Sequence, residues 1–155
     1  MWTNLIIMIL LLTGPVLLAR LAARGGEVWP HAAALGAALC FLFTASGHWL
    51  IDDEMVQMLP PWVPAPLLLV WATGVMELAI ALALLIPATR RMGAWAAIAA
   101  LCLFFPANIY AAFIQAPVGG HALGPVYLLV RAPVQLFVIL WIWRTLIGAP
   151  QPRPR

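Results

Sequence analysis

The stretch LLLVWATGVMELAIALALLI, residues 67–86, runs twenty residues with a single charged side chain, Glu77. A helix rises about 1.5 Å per residue and the hydrocarbon core of a bilayer is about 30 Å thick, so a run of this length is what a spanning helix needs. Transmembrane β-barrels are built instead from alternating segments of about ten residues. This run is continuous and twice as long, which favours a helix.

Four further runs of the same kind flank it: Trp2 to Ala19, Ala32 to Ile51, Met92 to Ile114, and Leu123 to Ile142. Between them lie chain breakers: Arg24-Gly25-Gly26 with Pro30, then Pro60-Pro61-Trp62-Val63-Pro64-Ala65-Pro66, then Pro87, then Pro117-Val118-Gly119-Gly120. Five spans and short connections use nearly all of the 155 residues. The composition agrees. Hydrophobic residues make up 65 % of the chain and charged residues 8 %, whereas a soluble domain has about 25 % charged residues. The expected fold is an all-α integral membrane protein. Residues 31–147 form a four-helix transmembrane bundle, residues 1–24 add an extra N-terminal spanning helix, and residues 148–155 form a disordered tail. The first run has no positive segment before it, so it reads as a retained helix rather than a cleaved leader.

Charge placement orients the bundle. All eight basic residues are arginines. Arg20 and Arg24 follow the first span, Arg90 and Arg91 the third, and Arg144, Arg153 and Arg155 the fifth. Five spans put all three groups on one side, which the positive-inside rule assigns to the cytoplasm. Asp52, Asp53, Glu54 and the loop with His121 fall on the other. The expectation is a multi-pass protein of the cell inner (plasma) membrane, N-terminus outside and C-terminus cytoplasmic, with the lipid bilayer as its first partner. No basic stripe suits nucleic acid, so none is expected as a partner.

Ionisable groups in hydrocarbon cost about 2.5–3.5 kcal/mol each, so those inside the spans need a partner or a function. His48, Glu77 and Arg131 are such groups, and Asn108 joins them as a neutral one. Counted from the outer span ends, they lie roughly 5 Å (His48), 9 Å (Asn108), 12 Å (Arg131) and 15 Å (Glu77) deep, all in the outer half or at the midplane. The three ionisable ones also fall on stripes of small or polar residues: Gly36, Cys40, Thr44 and His48; Thr73, Gly74, Glu77 and Ala81; Tyr127, Arg131 and Gln135. Residues four apart share a helix face. The stripes therefore face a shared interior, with the first span, which has no ionisable residue, packed outside spans two to five. The economical pairing is Glu77 with Arg131, whose guanidinium suits a carboxylate. It serves either to fix helix register or as the floor of a pocket. His48, Glu77, Asn108, Tyr110, Arg131 and Gln135 are the candidate binding residues, with Trp49 and Trp62 as further aromatic walls.

Pro106 and Pro133 interrupt the fourth and fifth spans and free carbonyls near Cys102 and Leu129. Cys40 and Cys102 sit inside apolar runs and read as packing residues, with no C-x-x-C motif. Met55 and Met58 beside Asp52, Asp53 and Glu54 read as interfacial residues rather than copper ligands, and His121 as a solvated loop residue; no metal is expected.

Gly47-His48, Leu59-Pro60-Pro61-Trp62-Val63-Pro64, Thr73-Gly74-Val75-Met76-Glu77, Pro87 with Arg90, and Phe105-Pro106-Ala107-Asn108-Ile109-Tyr110 occur in this order between residues 33 and 147. Together they resemble the DoxX-like family of small four-helix membrane proteins. The resemblance implies the four-helix fold and singles out His48, Glu77 and Asn108. The family takes its name from a subunit of an archaeal thiosulfate:quinone oxidoreductase; its bacterial relatives are usually described as redox-associated or uncharacterised, and its animal relatives include a receptor-assembly chaperone. The chain departs from it by its extra first span. The resulting expectation is a redox-associated module that binds a quinone or other lipophilic small molecule in a polar pocket open to the outer face. With no haem ligand pair, flavin motif or paired thiols, its electrons would come from a membrane or redox partner protein, and whether the chain itself catalyses a reaction stays open. The alternative is a non-catalytic accessory or assembly subunit of a membrane complex.

Overall fold

The computed structural model describes residues 2–22 and 29–148, and among these every regular element is helical. The helices are α1 (Trp2–Ala22), α2 (Trp29–Leu50), a one-turn α3 (Asp52–Val56), α4 (Pro66–Leu85), α5 (Arg90–Phe113) and α6 (Leu128–Ile142). A 3-10 segment, His121–Tyr127, leads into α6, and a π-helical turn, Trp143–Ile147, leaves it. Five helical stretches are long and apolar enough to cross a membrane: Thr3–Ala22, Pro30–Leu50, Pro66–Leu85, Arg90–Phe113 and His121–Ile147. These are the five runs read from the sequence. Arg24, Arg153, Arg155 and the expected tail fall outside the described residues, apart from Gly148.

The acidic triplet lies in the first turn of α3 rather than in a loop, where the helix dipole favours negative charge. The last span is composite. Gly124 has φ 73° and ψ −159° and is followed by Pro125, so α-helix cannot run through this point. It begins again at Leu128.

α2 is the centre of the packing. α1 lies against it on one side and α4 on another; α4 then packs on α5, α5 on α6, and the π turn returns to α2. Four helices thus close a ring, with α1 outside it. Gly36 makes the α1 contact possible, because a Cβ there would run into the Leu12 carbonyl. Cys40 adds a hydrogen bond from its thiol to the Met8 carbonyl, 3.2 Å.

Along the bundle axis the interior divides in two. At the end bearing Arg20, Arg90 and Arg144, the core is apolar and alanine-rich: Ala33, Ala37, Ala81, Ala94 and Ala97 pack with Leu84, Ile142 and Leu146. Small side chains let helix backbones approach closely, the main source of attraction between helices in lipid. The α4–α5 turn at this end is tied by Thr89 to the Ala83 carbonyl (3.0 Å) and by Arg90 Nε to the Leu84 carbonyl (3.0 Å). Toward the opposite end the interior is polar. Outward, the long helices present leucines such as Leu18, Leu68, Leu103 and Leu129, each about two-thirds exposed or more.

Candidate functional site

His48 occupies the last turn of α2 and is buried against α4. It gets there because of Gly74: a Cβ at that position would lie 2.6 Å from His48 Cβ and 3.1 Å from its Cγ. His48 Nδ1 is 2.7 Å from the Val70 carbonyl and 3.2 Å from Thr73 Oγ1. A carbonyl only accepts, so the proton is on Nδ1. The Thr73 hydroxyl spends its own proton on its helix, toward Leu69 (2.9 Å) or Val70 (2.8 Å).

This fixes the chemistry of the other ring nitrogen. His48 Nε2 faces Glu77 Oε2 at 3.5 Å, and both side chains are 7 % exposed. With Nδ1 protonated, a neutral ring presents a lone pair at Nε2, which a carboxylate repels. The arrangement is favourable when a single proton lies between them, as imidazolium with carboxylate or as imidazole with carboxylic acid. The contact is longer than a hydrogen bond, and Glu77 Oε2 has no hydrogen-bond partner among the described residues. The dyad is close but loosely held.

The expected pairing of Glu77 with Arg131 is thereby corrected. α2 and α4 are direct neighbours brought together at Gly74, so His48 meets the carboxylate first. Arg131, on α6, turns to α5 and donates from Nε to Asn108 Oδ1 at 3.3 Å. The Asn108 amide is oriented by its own Nδ2, which donates to the Phe104 carbonyl at 2.8 Å. Arg131 remains within electrostatic reach of Glu77, Tyr127 and His121.

Gln135, one turn beyond Arg131, donates from Nε2 to the Leu101 carbonyl at 2.8 Å, and its Oε1 is buried without a partner among the described residues. It also lines a groove of about 380 Å³ between α5 and α6, with Cys102, Phe105, Ala132, Leu136 and Ile139. None of the other five candidates lines that groove. Tyr110 is half-buried and makes no hydrogen bond to the other candidates among the described residues. Trp49 brings its ring edge near Gly74, but Trp62 is 79 % exposed and walls nothing in.

His121 is the residue that sequence reasoning misplaced. It is buried, not solvated. Its Nδ1 donates to the Val118 carbonyl at 2.9 Å, and its ring stacks edge-to-face on Tyr127 with centroids 4.9 Å apart. Gly120 admits the Tyr127 ring, which a Cβ there would strike. The Gly119-Gly120 pair just before the histidine was the available signal. The two cysteines are free, Cys40 buried and Cys102 exposed. Among the described residues no group of three His, Cys, Asp or Glu side chains is placed to hold a metal.

The site therefore defines a small all-helical bundle of five long apolar helices with an off-centre polar interior. By sequence the chain belongs to a family described as a domain of unknown function (DUF8561), which matches residues 37–146. That match spans all six candidate residues, leaves α1 outside, and carries no link to the DoxX-like family. No curated protein and no solved structure matches the chain.

Proposed function

We propose that this chain is a multi-pass membrane protein of the cell inner membrane, N-terminus outside. In this reading it is a redox-associated module, binding a quinone or similar lipophilic carbonyl compound at its polar end. The observation that carries this reading is the His48–Glu77 dyad: a buried pair, 3.5 Å apart, in which Nδ1 is committed to the Val70 carbonyl and Nε2 faces Oε2, the arrangement that a single proton between them would favour. Reduction of a quinone consumes protons as well as electrons, and this site holds a proton where neighbouring polar groups on α5 and α6 can orient a ligand oxygen. The electrons come from a partner protein. The leucine-covered exterior and the one-sided arginines support membrane insertion, and the ligand class rests on the resemblance of the sequence motifs to those of the DoxX-like family.

The test is direct. Purified in mild detergent and extracted, the protein is expected to carry a near-stoichiometric quinone that is absent from His48→Ala. A folded wild-type protein with no bound lipophilic compound overturns the reading.

One observation favours a second reading, an accessory or assembly subunit. Much of the cluster's hydrogen bonding is spent between helices, on Val70, Asn108 and Leu101, as in a scaffold cross-linked by its polar residues. A reproducible protein partner with no small molecule in the same preparation selects it.

A further inference from the structure

Beside Arg20, three further arginines at the alanine-rich end, Arg90, Arg91 and Arg144, differ in how they are used. Arg90 donates to the Leu84 and Leu85 carbonyls and contacts His31 Nδ1 at 3.3 Å. Arg91 and Arg144 are exposed, and neither has a hydrogen-bond or ion-pair partner among the described residues. No acidic side chain of the described residues is available to them, since Asp52, Asp53, Glu54 and Glu77 all belong to α3 or the polar half of α4.

Their surroundings are specific. Arg91 stands in the first turn of α5, where the helix dipole is positive and the cap residue Thr89 makes no side-chain bond to the amides. Two positive features side by side call for an anion. One turn on, Trp95 shares the Arg91 face. Its ring meets Trp143 edge-to-face with centroids 5.1 Å apart, and each ring is 46 % exposed. Trp143 opens the π turn, closed by Gly148 N–H donating to its carbonyl at 2.8 Å, and Arg144 follows it directly. Tryptophan half out of the protein, next to arginine at the end of an apolar helix, is the chemistry of the headgroup region.

We propose that Arg91 and Arg144, flanking the Trp95–Trp143 pair, bind the phosphate of an anionic phospholipid whose chains lie along α5 and the π turn. This rests on the helices spanning a membrane but not on the quinone reading. The tryptophans decide for a lipid over an acidic protein surface, since their apolar bodies suit acyl chains and their indole N–H groups the headgroup.

The test is native mass spectrometry of the detergent-purified protein titrated with phosphatidylglycerol or phosphatidylcholine. Phosphatidylglycerol adducts are expected to survive preferentially and to weaken about tenfold in the double variant Arg91→Gln/Arg144→Gln. Phosphatidylcholine adducts are expected to be unchanged, the Arg91→Lys/Arg144→Lys variant to keep most of the binding, and Arg20→Gln to bind like wild type. Equal loss in Arg20→Gln reduces the effect to diffuse charge and overturns the site. Unchanged binding in the double variant overturns it as well, as does release of a co-purifying acidic protein with lipid adducts intact. Displacement by inorganic phosphate at concentrations matching the lipid overturns the lipid assignment.

Discussion

His48 is gripped at Nδ1 and only approached at Nε2, and that asymmetry governs what substitutions there will do. In a double-mutant cycle, His48→Leu and Glu77→Leu are expected to couple by about 0.5–3 kcal/mol in thermal or denaturant stability, as contacting buried residues do. Glu77→Leu and Arg131→Leu are expected to combine with less coupling than that pair; stronger coupling there would restore the carboxylate–guanidinium pairing. Glu77→Gln retains a donor for Nε2 and is expected to unfold close to wild type while lacking a titratable proton, which separates a structural from a proton-holding role. The candidates themselves were readable from the sequence, because a histidine, a glutamate and an arginine stand out within apolar runs. Their pairing was not. It depends on the rotation of α2 against α4, which turns on the absence of one methyl group at Gly74. The burial of His121 depends in the same way on Gly120 and the distant Tyr127.

At the scale of the helices, the five long runs were legible because a twenty-residue apolar stretch has few alternatives. What was not legible is where a run stops being α-helical. Gly124, with its positive φ, and Pro125 reset the last span, and the π turn at Trp143 has no composition signature. The contact of α1 with α2 is a narrow one and yields a prediction. Gly36→Val places atoms against the Leu12 carbonyl and is expected to lift α1 away, removing the Met8 carbonyl from Cys40. Alkylation of Cys40 by N-ethylmaleimide then accelerates, while the exposed Cys102 reacts as before. Unchanged Cys40 reactivity in a folded variant would mean that α1 tolerates the intrusion.

For the molecule as a whole, the proposed orientation rests on arginine placement alone, and reporter fusions check it. A fluorescent protein at the C-terminus is expected to fold and fluoresce in the cytoplasm. Alkaline phosphatase joined after Gln115 is expected to be active outside, and the reverse pattern inverts the topology. The division of the interior has a further consequence. Alanine side chains knit the arginine-bearing half so closely that Ala33, Ala37, Ala81, Ala94, Ala97, Leu84 and Ile142 have no measurable exposure, and among the described residues no continuous file of polar groups runs through that half, the hydroxyl of buried Thr145 being spent on the Trp141 carbonyl. Water that reaches the dyad therefore enters a cul-de-sac. Liposomes carrying the protein and a trapped pH-sensitive dye are expected to hold a proton gradient as long as empty ones. Under the proposed function the dyad lends and takes back a proton on a single side, and the sealed half would keep that exchange from short-circuiting the membrane.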